Sequence, residues 1–253
     1  MIIGALSRSN GQFTPCDLCP LRRRPSLRKF TAEELDFVKE FKVDELRVGA
    51  GSSFLQQGAS SEHLYTLLQG WAFRYKMLDD GRRQILNYAL PADLVGLQGA
   101  VMREMEHSVE ALTNVVLCVF PRSKLWELYS RFPSLAFDLT WLAAREEQII
   151  DENLVNVGRR TALERTAYVL LHLYARAQEA ELVTANTVEF PFTQQHLADT
   201  LGMSLVHTNK TLKRLSASNT FRWKERVFEL LNRAALVEIA GEDVHPRNPR
   251  PFI

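Results

Sequence analysis

The chain has little cysteine, no marked excess of either charge and no long uninterrupted apolar run. Three cysteines in 253 residues is an odd and small number, which excludes a disulfide scaffold and suits reduced thiols in a cytoplasmic protein. The 31 basic residues face 30 acidic ones, leaving a formal net charge of +1. A polyanionic partner would therefore have to be met by a local basic patch. The apolar runs carry charges or are too short to span a bilayer, so no membrane partner is expected. The opening M-I-I-G-A-L-S-R-S-N lacks a basic n-region and a long apolar core, so it is not read as a signal peptide. P-loop, dinucleotide glycine fingerprint, G-x-S-x-G and H-E-x-x-H are all missing, so the usual nucleotide-dependent and hydrolytic enzymes are not expected. The six histidines show no metal-ligand spacing.

Against these absences, residues 193–226 stand out. They read T-Q-Q-H-L-A-D-T-L-G-M-S-L-V-H-T-N-K-T-L-K-R-L, then after a short gap F-R-W-K-E-R. Thr193 suits the N-cap of a helix, and Gly202 suits the left-handed residue that ends one. Ser204 caps a second helix at once. Two helices joined by so short a turn cross steeply, and the second can enter a DNA major groove, with F-R-W-K-E-R as a wing. On the second helix Thr208, Leu212 and Leu215 recur on an inner face. Val206, Asn209, Lys210 and Lys213 recur on the outer one. Asn can pair with adenine, Lys can donate to guanine, and Val206 can touch a thymine methyl. His207 is near enough to the helix start to reach a base edge or a phosphate. Lys210, Lys213 and Arg214, with Arg222, Lys224 and Arg226, supply the local positive charge. With Thr193, Gln194 and Ser204 at the helix starts, these residues form the candidate contact set for double-stranded DNA. The plainer alternative is a helical hairpin with a solvated basic face.

The rest of the chain divides by periodicity. Residues 1–30 form an irregular head containing C-D-L-C-P-L-R-R-R-P. Thr31 and Glu34 make a capping box for a short helix. From about 43 to 122, short alternating or apolar runs separated by V-G-A-G, Q-G-A-S and D-D-G predict an antiparallel β-roll or barrel, so that 31–133 is read as one domain. From 134 to 157 the period becomes helical. Leu135, Leu139, Leu142, Ile149 or Ile150, and Val157 follow a heptad-like seam, with Glu146 and Asn153 inside it. Such a helix can be a core helix or half of a dimer coiled coil, and the dimer reading is the expectation. Gly158 is read as a break and hinge. Residues 158–240 are the winged helix-turn-helix domain, and 241–253 a proline-rich, flexible tail. The fold class is α+β.

The order of roll, long helix and winged helix-turn-helix resembles the Crp/Fnr family of bacterial transcription regulators. The resemblance covers about residues 30–240 and rests on H-L-Y-T-L-L-Q-G-W near Gly70, L-P-A-D-L-V-G-L-Q-G around Gly96, and L-G-M-S-L-V-H-T-N-K-T-L-K-R-L. It implies a jelly-roll-type, cyclic-nucleotide-binding-like domain. It also implies a cytoplasmic homodimer on a roughly palindromic promoter site, in contact with RNA polymerase. Many members carry glutamate at the position of Val206, so the operator is expected to differ from the best-known half-sites. The family's cyclic-AMP phosphate site would fall on Gly96, Leu97, Gln98, His107 and Ser108. Here an apolar residue and a histidine replace its glutamate and arginine, and a neutral histidine lacks the fixed charge and paired donors of arginine. Cyclic AMP is not the expected effector.

Relatives resembling Fnr hold an iron–sulfur cluster with an N-terminal cysteine group and one cysteine in a later strand. By that resemblance Cys16, Cys19 and Cys118 match three of four ligands. The fourth would fall near Pro25, and no other cysteine exists in the chain, whereas a [4Fe–4S] cluster normally takes four thiolates. Asp17, a histidine such as His107, or an external ligand could complete a site, and nothing in the spacing selects one of them. Three readings stay open: a redox or iron–sulfur sensor, a zinc site or reversible thiol pair, and a buried small hydrophobe in a metal-free head. Two other functions also stay open. One is a cyclic-nucleotide-like module regulating a partner protein. The other is a redox enzyme, which would want its C-x-x-C at a helix start rather than in a proline-flanked head.

Overall fold

The runs between 43 and 122 become strands because each is bounded by a reversal that its residues can make. A computed structural model of the chain describes residues 7–8, 13–245 and 249–253. Residues 1–6 and 9–12 of the head and residues 246–248 of the tail lie outside the described residues. The chain separates into two compact units, Met1–Arg82 with Asn87–Gln148 and Pro249–Ile253, and Arg83–Leu86 with Ile149–Asn248.

In the first unit α1 (Ala32–Phe41) starts from the expected capping box of Thr31 and Glu34. The strands follow as β1 (Ser7–Arg8), β2 (Asp44–Val48), β3 (Ser53–Leu55), β4 (His63–Gln69), β5 (Ala72–Met77), β6 (Arg83–Ala89, of which Arg83–Leu86 count with the second unit), β7 (Leu94–Val95), β8 (Ser108–Ala111) and β9 (Val115–Pro121). They form two antiparallel sheets in the orders β1-β2-β9-β4-β7 and β3-β8-β5-β6. This is the expected roll. The D-D-G turn joins β5 to β6, with Gly81 in the left-handed region at φ 83°. A short helix, α2 (Leu97–Met102), begins at Gly96, also left-handed. Between the sheets lie Leu67, Ala72, Val109, Val115 and Leu117. A second cluster joins the head, α1, α3 (Leu125–Arg131) and the first half of α4 (Pro133–Arg159), through Phe37, Phe41, Phe120, Leu128, Leu135 and Leu139.

Three expectations are corrected here. First, Gly158 does not break the long helix. A Cβ there would meet nothing, and the helix runs on to Arg159. A glycine within a helix costs only about 1 kcal/mol. The break comes where Thr161, with Glu164, caps α5 (Ala162–Glu179). Second, the heptad-like seam is not left for a partner. Leu135, Leu139, Leu142 and Ile149 are buried within the chain. Glu146 and Asn153, the polar residues of that seam, bond to Arg74 and to the Leu86 carbonyl. Third, the tail is not loose throughout. Arg233 holds Asp243 at 2.5 Å, and Arg250, Phe252 and Ile253 are buried. A cation opposite a buried carboxylate, followed by two large apolar side chains, gives these residues a reason to pack.

In the second unit α5 is buried along most of its length. Against it pack α6 (Gln194–Leu201), α7 (Leu205–Ser216) and α8 (Arg233–Ala240). A three-stranded sheet, β10 (Thr187–Glu189), β12 (Val227–Leu230), β11 (Phe221–Lys224), forms the wing. Its core is aromatic, with Phe190 and Phe221 at 4.9 and 5.2 Å from Phe228.

Gly70 is the tightest point of the roll. Its φ is +91°, and a Cβ would lie 2.4 Å from the Asn114 carbonyl oxygen. Replacing it should both strain the backbone and displace the chain opposite. Gly70→Ala is expected to lower stability by about 2–4 kcal/mol, read as a lower midpoint in thermal unfolding. A wild-type midpoint would show that the turn can open without cost.

Candidate nucleic-acid interface

The caps that start α6 and α7 are those expected from the sequence. The Thr193 hydroxyl accepts from the His196 amide at 3.3 Å, and the His196 ring nitrogen Nδ1 accepts from the Thr193 amide at 3.1 Å. That acceptor role needs a neutral ring, and burial holds the His196 pKa below its usual value. Gly202 ends α6 at φ 63°, and the Ser204 hydroxyl accepts from the His207 amide. The turn between the helices is thereby fixed from both sides. Arg165 adds to this, donating to the Leu201 carbonyl at the end of α6 and to Val157 in the last turn of α4, both at 2.7 Å. A cation is favoured at these carbonyl ends.

Thr208, Leu212 and Leu215 are buried, as expected, and Thr211 joins them. Val206 is 65% exposed. His207, Lys210, Lys213 and Arg214 are exposed beside it. Asn209 is half-buried, and its Oδ1 has no hydrogen-bond partner among the described residues. Lys224 stands exposed on the wing. Among the described residues, Lys210, Lys213, Arg214 and Lys224 are in no ion pair, so their charge is available to a polyanion. Two of the expected wing cations are engaged: Arg222 bonds Glu229 at 2.9 Å, and Arg226 lies 3.9 Å from Glu189. Sequence spacing missed a cleft of about 810 Å³ beside α7, lined by Phe192, Thr193, Gln194, Leu205, Lys213 and Trp223. The N-terminus of α6, with Gln194 and Lys213, gives its mouth donors suited to phosphate oxygens.

The roll presents the residues expected for an effector site, but their polar groups are already engaged. Gly96, Leu97 and Gln98 sit at the β7–α2 junction, and Gln98 accepts from the Glu106 amide at 3.4 Å. Ser108 accepts from the Gln57 amide at 3.0 Å. The His107 Nε2 accepts from Arg74 Nε at 3.1 Å. Arg74 also pairs with Glu146 of α4, which takes a further bond from Asn87 at 3.2 Å. Burial pushes Arg74 down to about 10, so it stays charged. Burial, then Arg74 and Lys76, push His107 down to about 3, so it stays neutral. The half-buried Arg74 guanidinium already has a carboxylate, which leaves its charge engaged and not open to a cyclic phosphate. Arg74 and Glu146 were not legible as site residues, because the partners lie 72 positions apart.

Cys16, Cys19 and Cys118 pack against one apolar cluster. Burial raises the Cys16 thiol and pushes Cys118 up to about 12, against the opposing Lys42. Asp17 is 2.9 Å from Lys39, and His107 is bound to Arg74, so neither is placed as a fourth ligand. Among the described residues no group of three or more His, Cys, Asp or Glu side chains is positioned to hold a metal ion. The described residues thus place three cysteines and no fourth ligand, which does not make up the four-thiolate set of a [4Fe–4S] cluster.

Comparison with known proteins agrees with the geometry. Residues 45–132 match the cyclic nucleotide-binding domain family and residues 164–239 the Crp-like helix-turn-helix domain family. The chain is 30% identical over 210 residues to the transcriptional activatory protein AadR of Rhodopseudomonas palustris, covering 83% of this chain and 80% of that one. It is 30% identical over 234 residues to the nitrogen fixation regulation protein FixK of Bradyrhizobium diazoefficiens, covering 92% and 95%. The structure of FixK2 from Bradyrhizobium japonicum superposes with a TM-score of 0.70 at 25% identity, covering 80% of this chain and 98% of that one.

The state of His107 makes a test by pH. Its folded pKa is depressed below the unfolded value near 6.5, so the unfolded chain takes up the proton first as pH falls. The stability tied to its neutral form is complete above about pH 6.5 and is lost as pH drops toward 3. Over two pH units below 6.5 this amounts to roughly 2 kcal/mol. His107→Gln, whose side-chain oxygen can still accept from Arg74, should flatten the fall in stability between pH 6.5 and 4.5 in urea unfolding. An unchanged slope would show that His107 protonates freely in the folded chain.

Proposed function

The chain belongs to the Crp/Fnr family of transcription regulators, and on that premise we propose that it works as a homodimer reading a roughly palindromic promoter site with α7. The observation that carries this reading is the outer face of α7, where Val206, Lys210, Lys213 and Arg214 are exposed around a pinned inner face. Asn209, Lys210 and Val206 are assigned to base edges, and Thr193, Gln194, Ser204, His207, Lys213, Arg214 and Lys224 to phosphates and register. The dimer is supported by the side of α4 that the chain leaves bare. Phe137 is 66% and Val155 48% exposed, and about five helical turns between them put both on one stripe. Leu154, 67% exposed, flanks it. A two-fold protein on a two-fold site needs such a face. The names of the relatives, an activatory protein and a nitrogen fixation regulator, favour activation, with RNA polymerase as the further partner. Among the described residues no helix is long and apolar enough to cross a membrane.

The signal that sets activity is assigned away from cyclic AMP, because Arg74 is already neutralised by Glu146 and His107 carries no charge. Redox or oxygen sensing at Cys16, Cys19 and Cys118 would require thiolates. Burial raises the Cys16 and Cys118 thiols above their ordinary range, so a redox role at these two calls for the head to open first. Those same features count against the alternative of a nucleotide-binding module that regulates a partner protein.

The test is the salt dependence of binding to a fluorescent 40-base-pair duplex of mixed sequence. The wild-type chain should bind with an affinity that falls steeply with salt. Lys213→Ala should weaken binding and reduce the slope of log K against log salt by about one. Wild-type binding that is absent or indifferent to salt would overturn the DNA reading, and an unaltered slope would remove Lys213 from the interface.

A further inference from the structure

We propose that residues 250–253 are a built-in peptide ligand of the β-roll, seated beside Cys118, and that their docking governs access to that thiol. The backbone of Arg250 pairs with the head as a single added rung. Its amide donates to the Ser26 carbonyl at 2.9 Å, and its carbonyl accepts from the Arg28 amide at 2.9 Å. The rung is laid on a fixed base, since Arg28 is itself held by Glu34 at 3.0 Å and by Asp138 of α4. The Arg250 guanidinium then enters the roll. It pairs with Asp93 at 2.9 Å and donates to the Pro91 carbonyl at 3.1 Å, with both charged side chains under a tenth exposed. Phe252 lies 4.8 Å from the Phe30 ring. The Ile253 carbonyl accepts from the Thr66 hydroxyl.

That last contact fixes what the peptide covers. Thr66 on β4 is the register partner of Cys118 on β9, and directly opposed residues of an antiparallel pair stand on the same face. Ile253 is thus anchored at the side chain next to the Cys118 thiol. Phe252, Ile253, Cys118, Cys16 and Cys19 belong to one apolar cluster. The peptide has the marks of a recognised sequence. Pro249 and Pro251 flank Arg250 and restrict its backbone, which lowers the ordering cost of docking. Arg250 reads a buried carboxylate, and the two apolar residues fill the face beyond it. The covalent link to the same chain gives the peptide a high effective concentration. A buried ion pair also makes the contact releasable as a unit, because loss of either partner leaves the other charge uncompensated.

The test is alkylation of Cys118 by N-ethylmaleimide, followed by peptide mass mapping that separates it from Cys16 and Cys19. In the full chain, Arg250→Gln should raise the Cys118 rate by about tenfold or more. A chain with 249–253 removed should label faster still. A synthetic N-P-R-P-F-I peptide should slow it again, and the same peptide with glutamine for arginine should not. Equal Cys118 rates in the wild-type chain and Arg250→Gln would overturn the proposal. So would a shortened chain with wild-type circular dichroism that labels at the wild-type rate or is not protected by the peptide. Should the shortened chain unfold, the full-length Arg250→Gln result decides alone.

Discussion

What α7 shows to solvent depends on what it buries. Thr208, Thr211, Leu212 and Leu215 are packed against α5 and α6, and the Thr208 and Thr211 hydroxyls turn back to carbonyls of their own helix at 3.1 and 2.9 Å. Burying an apolar side chain of this kind stabilises by about 1.5–3 kcal/mol, so the helix cannot roll about its axis without losing most of its hold. With the inner face committed, Val206, Lys210, Lys213 and Arg214 have no choice but to face outward. Gly202 and Ser204 set the angle at which α7 leaves α6, and Arg165 clamps the carbonyl end of α6 to that of α4. The polar face is therefore presented by rigid elements, which is what base reading requires.

The roll obeys a different constraint, the need of every buried charge for a partner. Arg74, Lys42 and Arg250 all enter low-exposure surroundings, and each meets a carboxylate, Glu146, Glu45 and Asp93 respectively. In a roll that bound a cyclic phosphate, one such cation would have to be left for the ligand. Here the chain supplies the anion itself, and the histidine beside it is kept neutral. The architecture is that of a nucleotide-binding domain while the charges that would hold the nucleotide are spent internally, an instance of function residing in the site and not in the fold. The cysteines follow the same logic. Apolar surroundings that suit a thiol as packing are those that oppose its ionisation.

How much of this was legible in the sequence follows from the range of each interaction. Thr31 with Glu34, Thr193, Gly202, Ser204 and the D-D-G turn act over a few residues, so the helix starts, the helix-turn-helix and the β5–β6 hairpin could be read directly. The periodicity of 134–157 revealed a long amphipathic helix but not which side of it meets a partner. Leu135, Leu139 and Leu142 look like a coiled-coil seam and are in fact the chain's own core. Periodicity reports that a face is apolar without saying what covers it. At Gly158 the glycine signal is weak, and the helix ends instead where Thr161, three residues on, caps the next one. The Arg74–Glu146 and Arg250–Asp93 pairs join residues 72 and 157 positions apart, and no local pattern announces them. For the same reason a proline-rich end that looked structureless proved to hold a docked segment.

The central claim, that α7 of a two-fold protein reads base sequence, is most directly tested by selection. The purified full chain would be incubated with a random-sequence duplex library at moderate salt, and the retained DNA sequenced over several rounds. The account predicts enrichment of one motif in two inverted half-sites, centred about one helical turn apart. Enrichment of an unrepeated motif would contradict the two-fold reading, and retention without any enrichment would show that the basic face binds phosphates alone and reads nothing.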